Sequence, residues 1–249
     1  VDIGEPSFFS EDERYYEWGL DWYRGRFSQV RPDQICGEKS TSYSRYPERP
    51  HAAERITRHL PDVKLIYMMR HPVDRAYSHY VWRVTRELYP DQPIPHTFAE
   101  HIEQDPMCIN SSNYIMQIEQ YLEYFPLDRF LFLFFEDFVA DPATTVRRVL
   151  QHIGADTTID PTRNGPIHNK DSARLNEDRI RQQLMRPLRK LPLVTQMRKV
   201  VPQSWRDAVY ATVRRTPWGR RAEQVFLPPR MKAETRQQLI DYFREPNRR

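Results

Sequence analysis

The chain has 249 residues, enough for one large domain with a core or for two small ones. Hydrophobic residues make up 39% and aromatic residues 12%, which excludes disorder over most of the length. The net charge of +4 is unevenly spread: residues 170–221 hold 14 Lys and Arg against 4 Asp and Glu, so the remainder is net negative.

In chain order, Glu11 to Phe27 reads as a helix, with Tyr15, Trp18, Trp22 and Phe27 near helical spacing and Ser10 as its N-cap. Ile35 to Glu38 reads as a short strand ending in a turn, and Pro50 to Leu60 as a helix with Pro in its first turn. Lys64 to Met69 is short, apolar and bounded by polar residues, the pattern of a buried strand. His71-Pro72 ends it, and Val73 to Thr85 reads as the next helix. Asn113 to Phe125 is amphipathic and helical, Arg129 to Phe135 is the clearest buried strand, and Asp141-Pro142 opens a helix through Ile153. Strands alternating with helices indicate a parallel α/β sheet. Segments 172–191 and 203–215 read as basic helices interrupted by prolines, and Ala233 to Phe243 as a final helix.

Several classes have no support. The apolar runs fall well short of the roughly 18 residues that a membrane span requires. Val1 to Glu5 carry neither the basic start nor the apolar run of a signal peptide; since the chain does not open on Met, an upstream start is expected. Cys36 and Cys108 are too few for a disulfide framework, so a reducing compartment is the simpler expectation, with one bridge left open. No CxxC, HExxH or clustered His/Cys spacing occurs, and no metal is expected. The basic block 170–221 suits an anionic partner (a polyanionic substrate, a nucleotide, a membrane surface or nucleic acid) or is a solvated helical face.

Chemistry concentrates between Leu65 and Tyr80. Arg70 stands where a parallel strand ends, which is where ligands bind in open α/β sheets, and Ser78 lies about two turns into the following helix. A guanidinium fork and a neutral hydroxyl can converge on one phosphate. Each type is common by itself, as an Arg in a surface ion pair and a Ser facing solvent. The whole segment, from Leu65 through Arg70-His71-Pro72 to Arg75-x-x-Ser78, closely resembles the 3′-phosphate motif of sulfotransferases that use 3′-phosphoadenosine 5′-phosphosulfate (PAPS). Gly37 to Tyr43 resembles the "EKS/T-x-x-Y" segment of glycan-type and bacterial members. Glu5 to Phe9 with Gly19 to Tyr23 resembles "KE-x-x-FF … G-x-x-WY". Phe135 to Phe138 with Asp141-Pro142, and Tyr242 to Asn247, resemble two further family segments.

The resemblance implies a P-loop NTPase-like sulfotransferase fold over 1–249, a central parallel sheet flanked by helices, with 170–221 as a basic helical excursion. It implies Arg70 and Ser78 as contacts of the 3′-phosphate, Glu5 as the base and Lys39 as the cation near the transferred group. PAPS would be the co-substrate, 3′-phosphoadenosine 5′-phosphate (PAP) the product, and the acceptor a hydroxyl or amine of a small molecule or glycan. Phe8 and Phe9 are expected as core residues and also as an apolar wall sharpening Glu5 as a base. His51, His71 and His79 fall outside the base's position, and His168 is read as structural. Glu136 is read as bracketing structure, and Glu38 with Lys39 as a possible surface pair.

The sequence departs from the family in two places. Its 7 glycines form no "K-x-G-T-T"-like loop for the 5′-phosphosulfate, and Gly4 stands where a Lys often precedes the acid. The chain is therefore expected to lack an N-terminal piece of a longer protein and to be clipped after Asn247-Arg248-Arg249; complete as it stands, it would be a weak PAPS binder or a pseudoenzyme. Two alternatives follow. A P-loop kinase-like transferase would need a GxxxxGK[ST] loop that is absent here, and a non-catalytic polyanion-binding protein would work through 170–221, although no nucleic-acid motif is present. A bacterial cytoplasm is the default setting, with a Golgi-lumen catalytic domain as the other.

Overall fold

Phe8 and Phe9 lie in the opening turn closed on the Ser7 carbonyl and are both 1% exposed. They pack with Tyr23, Ile56 and Phe125 into an aromatic core, the Phe8 and Phe9 rings each 4.9 Å from that of Tyr23. Burying each such ring stabilises the fold by about 1.5–3 kcal/mol. These positions come from a computed structural model, which describes residues 4–31, 33–86, 97–158, 211–212, 215–216 and 230–247. The chain divides into two compact units, one of residues 1–78, 98–166 and 231–249, the other of 79–97 and 167–230. The helices expected at 172–191 and 203–215, with the rest of the basic block, lie outside the described residues apart from the few positions named.

The expected first helix is present in altered form. A π-helical turn, Glu13–Trp18, leads through Gly19 at φ +74° into α1, Gly19–Gly25. Ser10 does not cap it. Its hydroxyl donates to the Ser7 carbonyl at 3.2 Å and pairs with Ser42 Oγ at 2.7 Å, which ties the turn to a later segment. Residues 35–40 form no regular element and have no strand partner among the described residues, so the strand expected at Ile35–Glu38 is absent there. An extended segment becomes a strand only through a ladder.

Helix α2, Ala52–His59, precedes β1, Leu65–Met69; α3, Pro72–Arg86, follows it. Three short helices, α4 (Phe98–Gln104), α5 (Met107–Asn110) and α6 (Tyr114–Leu122), lead to β2, Phe130–Phe134. The strands pair in parallel from Leu65↔Phe130 to Met69↔Phe134, the α/β arrangement the alternating pattern implied. Neither strand is buried on both faces. Leu133 is 1% exposed, but Ile66, Met68 and Phe134 are 44%, 42% and 53% exposed. Successive side chains point to opposite faces. Tyr67 meets Tyr114 of α6, ring centroids 5.9 Å apart, whereas the face bearing Ile66 and Met68 is open among the described residues.

Past β2, α7 (Phe135–Ala140) and α8 (Pro142–Ile153) follow directly. Asp141 caps α8, accepting the Thr144 N–H at 3.0 Å, and these bonds hold its carboxyl below the ordinary carboxylate value. Gly154 at φ +76° ends the helix in a left-handed turn, with the Ala155 N–H on the Leu150 carbonyl at 2.8 Å. The last described helix is α9, Ala233–Arg244. Arg236 of α9 reaches back to Asp74 at the start of α3, at 2.5 and 3.4 Å. In the second unit, Tyr80 is fully buried and the His79 and Trp82 rings lie 6.1 Å apart.

Candidate active site

Glu5 and Lys39 meet although they come from different segments. Lys39 Nζ lies 3.4 Å from Glu5 Oε1, and the Thr41 hydroxyl donates to Glu5 Oε2 at 3.0 Å. Both charged side chains reach solvent, 41% exposed for Glu5 and 80% for Lys39, so a molecule can approach the pair. Phe8 and Phe9 do not form the apolar wall expected beside Glu5. They turn into the core, and the carboxylate faces a cation and a hydroxyl instead.

Glu38 is not paired with Lys39. Its Oε1 accepts the hydroxyls of Tyr43 at 2.7 Å and Tyr23 at 3.2 Å, and its Oε2 accepts that of Ser40 at 2.9 Å. Burial first, then the adjacent carboxylate, push both phenols well above their ordinary pKa, so they remain donors. Sequence reasoning missed this hub. The available signal was Glu38, Ser40 and Tyr43 within six positions, but Tyr23 arrives from α1.

Arg70 stands just past the end of β1. Its N–H donates to the Tyr114 hydroxyl at 3.0 Å, and that hydroxyl donates to the Arg70 carbonyl at 2.8 Å, so one side chain fixes both backbone polar groups. The next N–H, of His71, donates to Glu136 Oε1 at 3.0 Å. Glu136 thus joins the ends of the two strands, as its bracketing role implied. The Arg70 guanidinium lies over the Phe135 ring, 5.3 Å from its centroid. No carboxylate among the described residues forms an ion pair with it, so its fork is available to an anion. Ser78 is exposed on α3. Asp74 beside this turn is held below the ordinary carboxylate value, chiefly by its hydrogen bond to Arg236.

Asn247 supports this region from the far end of the chain. Its side-chain oxygen accepts the N–H groups of Tyr114 and Ile115 at 2.9 and 3.4 Å, capping α6 and with it the tyrosine that holds Arg70. Of the histidines, His51 and His71 face carboxylates of the helices that follow them, Glu54 and Asp74, each at 3.8 Å. His168 lies outside the described residues. An open cleft of about 650 Å³ between residues 27–37 and the end of α8 is lined by Asp33 and Asp156 and by no cationic side chain. No group of three His, Cys, Asp or Glu able to hold a metal occurs among the described residues.

The family model described as "Sulfotransferase family" matches residues 5–159, which include Glu5, Lys39, Arg70 and Ser78. The chain belongs to the sulfotransferase family. It is 36% identical over 155 residues to mouse heparan sulfate glucosamine 3-O-sulfotransferase 6, covering 60% of this chain and 43% of that protein. To mouse heparan sulfate glucosamine 3-O-sulfotransferase 3B1 it is 35% identical over 156 residues, 60% of this chain and 38% of that one. The chain therefore spans less than half the length of these curated relatives. A solved sulfotransferase from Alicyclobacillus acidocaldarius superposes with a TM-score of 0.53 at 26% identity, over 71% of this chain and 76% of that one. The sulfotransferase fold accounts for the parallel pairing of β1 and β2.

Proposed function

We propose that the protein transfers a sulfuryl group from PAPS to a hydroxyl or amine of a carbohydrate acceptor, by in-line displacement with Glu5 as the base. The observation that carries this reading is the meeting of Glu5 and Lys39 at 3.4 Å, both exposed, in a chain that matches the family across that span. Glu5 takes the acceptor proton as the acceptor oxygen or nitrogen bonds to sulfur. The bond from sulfur to the 5′-phosphate oxygen breaks, its electron pair stays on the phosphate, and PAP leaves. A positioned base contributes about 10²–10⁴ in rate. Lys39 offsets the charge that gathers on the transferred group and leaving phosphate.

Arg70 and Ser78 hold the 3′-phosphate of PAPS, the guanidinium by charge and the hydroxyl as a neutral donor. The residues at the strand tip fit this anion: the Arg70 backbone is already fixed by Tyr114, and its guanidinium, backed by Phe135, pairs with no described carboxylate. Holding the loop before the ligand arrives lowers the ordering cost of binding.

A sugar-like acceptor is favoured by the relatives' names and by an aromatic surface near Glu5. Trp18 and Trp22 lie 4.7 Å apart, with the Arg14 and Arg26 guanidinium groups over their rings at 5.4 and 5.6 Å. Arg14 also donates to the Glu5 carbonyl at 3.4 Å, so this surface adjoins the base. No helix among the described residues is long and apolar enough to cross a membrane. The test is transfer of labelled sulfate from PAPS to heparan-type chains, other polysaccharides and simple phenols by the intact protein. Label is expected on the polysaccharide; absence of both labelled product and PAP with every acceptor overturns the reading.

A further inference from the structure

We propose that Glu38 is a positioning residue for the transfer: its carboxylate sets the direction of two hydroxyl protons and thereby holds the turn that carries Glu5. This rests on the reading of Glu5 as the base. A hydroxyl has one proton to donate and two lone pairs to accept with, whereas an ionised carboxylate only accepts. Ser40 therefore donates to Glu38 at 2.9 Å, and its oxygen accepts the Ser7 N–H, also at 2.9 Å. Tyr43 donates to Glu38 at 2.7 Å, and its oxygen receives the Phe9 N–H at 3.5 Å. Two backbone groups of the turn after Glu5 are thus held by hydroxyls that one carboxylate has oriented.

That turn needs holding. Ser7 has φ +47°, a left-handed conformation that a non-glycine residue keeps only where its surroundings impose it. The Ser7 carbonyl is also engaged, by the N–H groups of Ser10 at 3.3 Å and Glu11 at 3.1 Å. Glu38 acts on the other side of the pair as well, because its own segment supplies Lys39 and Thr41, which meet the Glu5 carboxylate at 3.4 and 3.0 Å. One half-buried carboxylate, itself out of contact with Glu5, fixes both the backbone that bears the base and the segment that faces it. Tyr23, at 3.2 Å, ties the hub to the aromatic core.

Glu38→Gln keeps the shape but presents an N–H₂ donor where an acceptor stood. In the intact protein it is expected to lower kcat at least roughly tenfold with both KM values within about twofold, because misplacement of a reacting group acts on the chemical step. Hydrogen exchange at the Ser7 and Phe9 amides should quicken by about tenfold or more, with the β1 amides of Tyr67 and Met69 unchanged. Ser40→Ala removes one arm of the relay and should release Ser7 but not Phe9; it carries the test if Glu38→Gln does not fold. A folded Glu38→Gln protein with unaltered exchange at Ser7 and Phe9, or with unaltered kcat, overturns the proposal. If the unsubstituted protein transfers no sulfuryl group, the functional reading fails, while exchange at the two amides still decides whether Glu38 holds the turn.

Discussion

Around Glu5 the polar side chains bond to one another, whereas at the tip of β1 the polar backbone is fixed and the Arg70 guanidinium is left over. In the first region Glu38 collects three hydroxyls and Glu5 collects Lys39 and Thr41. In the second, Tyr114 and Glu136 hold consecutive backbone groups, and Arg70 rests on Phe135 without a described ion-pair partner. The two arrangements suit different jobs. A group that must meet a reacting atom benefits from a network that restricts it, and a group that must capture a diffusing anion benefits from an uncommitted charge on a rigid base.

Separating chemistry from binding tests this contrast most strongly. Glu5→Gln should lower kcat by about 10²–10³ while leaving PAP affinity within about twofold, measured by steady-state transfer and calorimetry. A comparable loss of PAP affinity would merge the two regions into one site. Asn247→Ala sharpens the second half of the comparison. It removes the acceptor of the Tyr114 and Ile115 N–H groups, and should cost about 1 kcal/mol in denaturant unfolding. PAP binding should weaken with it, because Tyr114 holds Arg70; Glu5 chemistry should not change. Ser78→Ala removes a single neutral donor and should weaken PAP about two- to tenfold.

The smallest effect concerns acid stability. The Asp74 carboxyl is held below its ordinary value of 3.8 by Arg236. A folded-state pKa below the unfolded one contributes stability that is full above the unfolded value and is lost as pH falls through the folded one. Melting temperature should therefore drop as pH falls below about 4, and Asp74→Asn should flatten that limb. An unchanged acid limb in the variant would show that Asp74 and Arg236 do not hold α3 to α9.

The strand-tip region was legible in the sequence because its signals are local. Five apolar residues, then Arg70, then His71-Pro72 specify a strand, its end and the following helix within one window. Asp141-Pro142 announced α8 for the same reason. The region around Glu5 was legible only in part. Glu5 and Lys39 were singled out by resemblance, but the hub at Glu38 needs Tyr23 from α1 and Ser7 from the opening turn, contacts that no local pattern encodes. Ser10 looked like a helix cap because its type and position suit one; Ser42, distant in sequence, takes its hydroxyl instead. Residues 35–38 were read as a strand on Ile35 and Cys36 ahead of a Gly turn, but strand structure requires partners. Phe8 and Phe9 were read correctly as core, and for that reason they cannot line the polar face where Glu5 meets Lys39.

The Arg70 guanidinium at the tip of β1 is proposed to bind an anion, separately in construction from the Glu5 region. Calorimetric titration of PAP into the intact protein and its Arg70→Ala variant tests it most directly. Micromolar binding is expected, weakened by the substitution at least tenfold, about 1.4 kcal/mol. No binding, or binding that Arg70→Ala leaves unchanged, would contradict it.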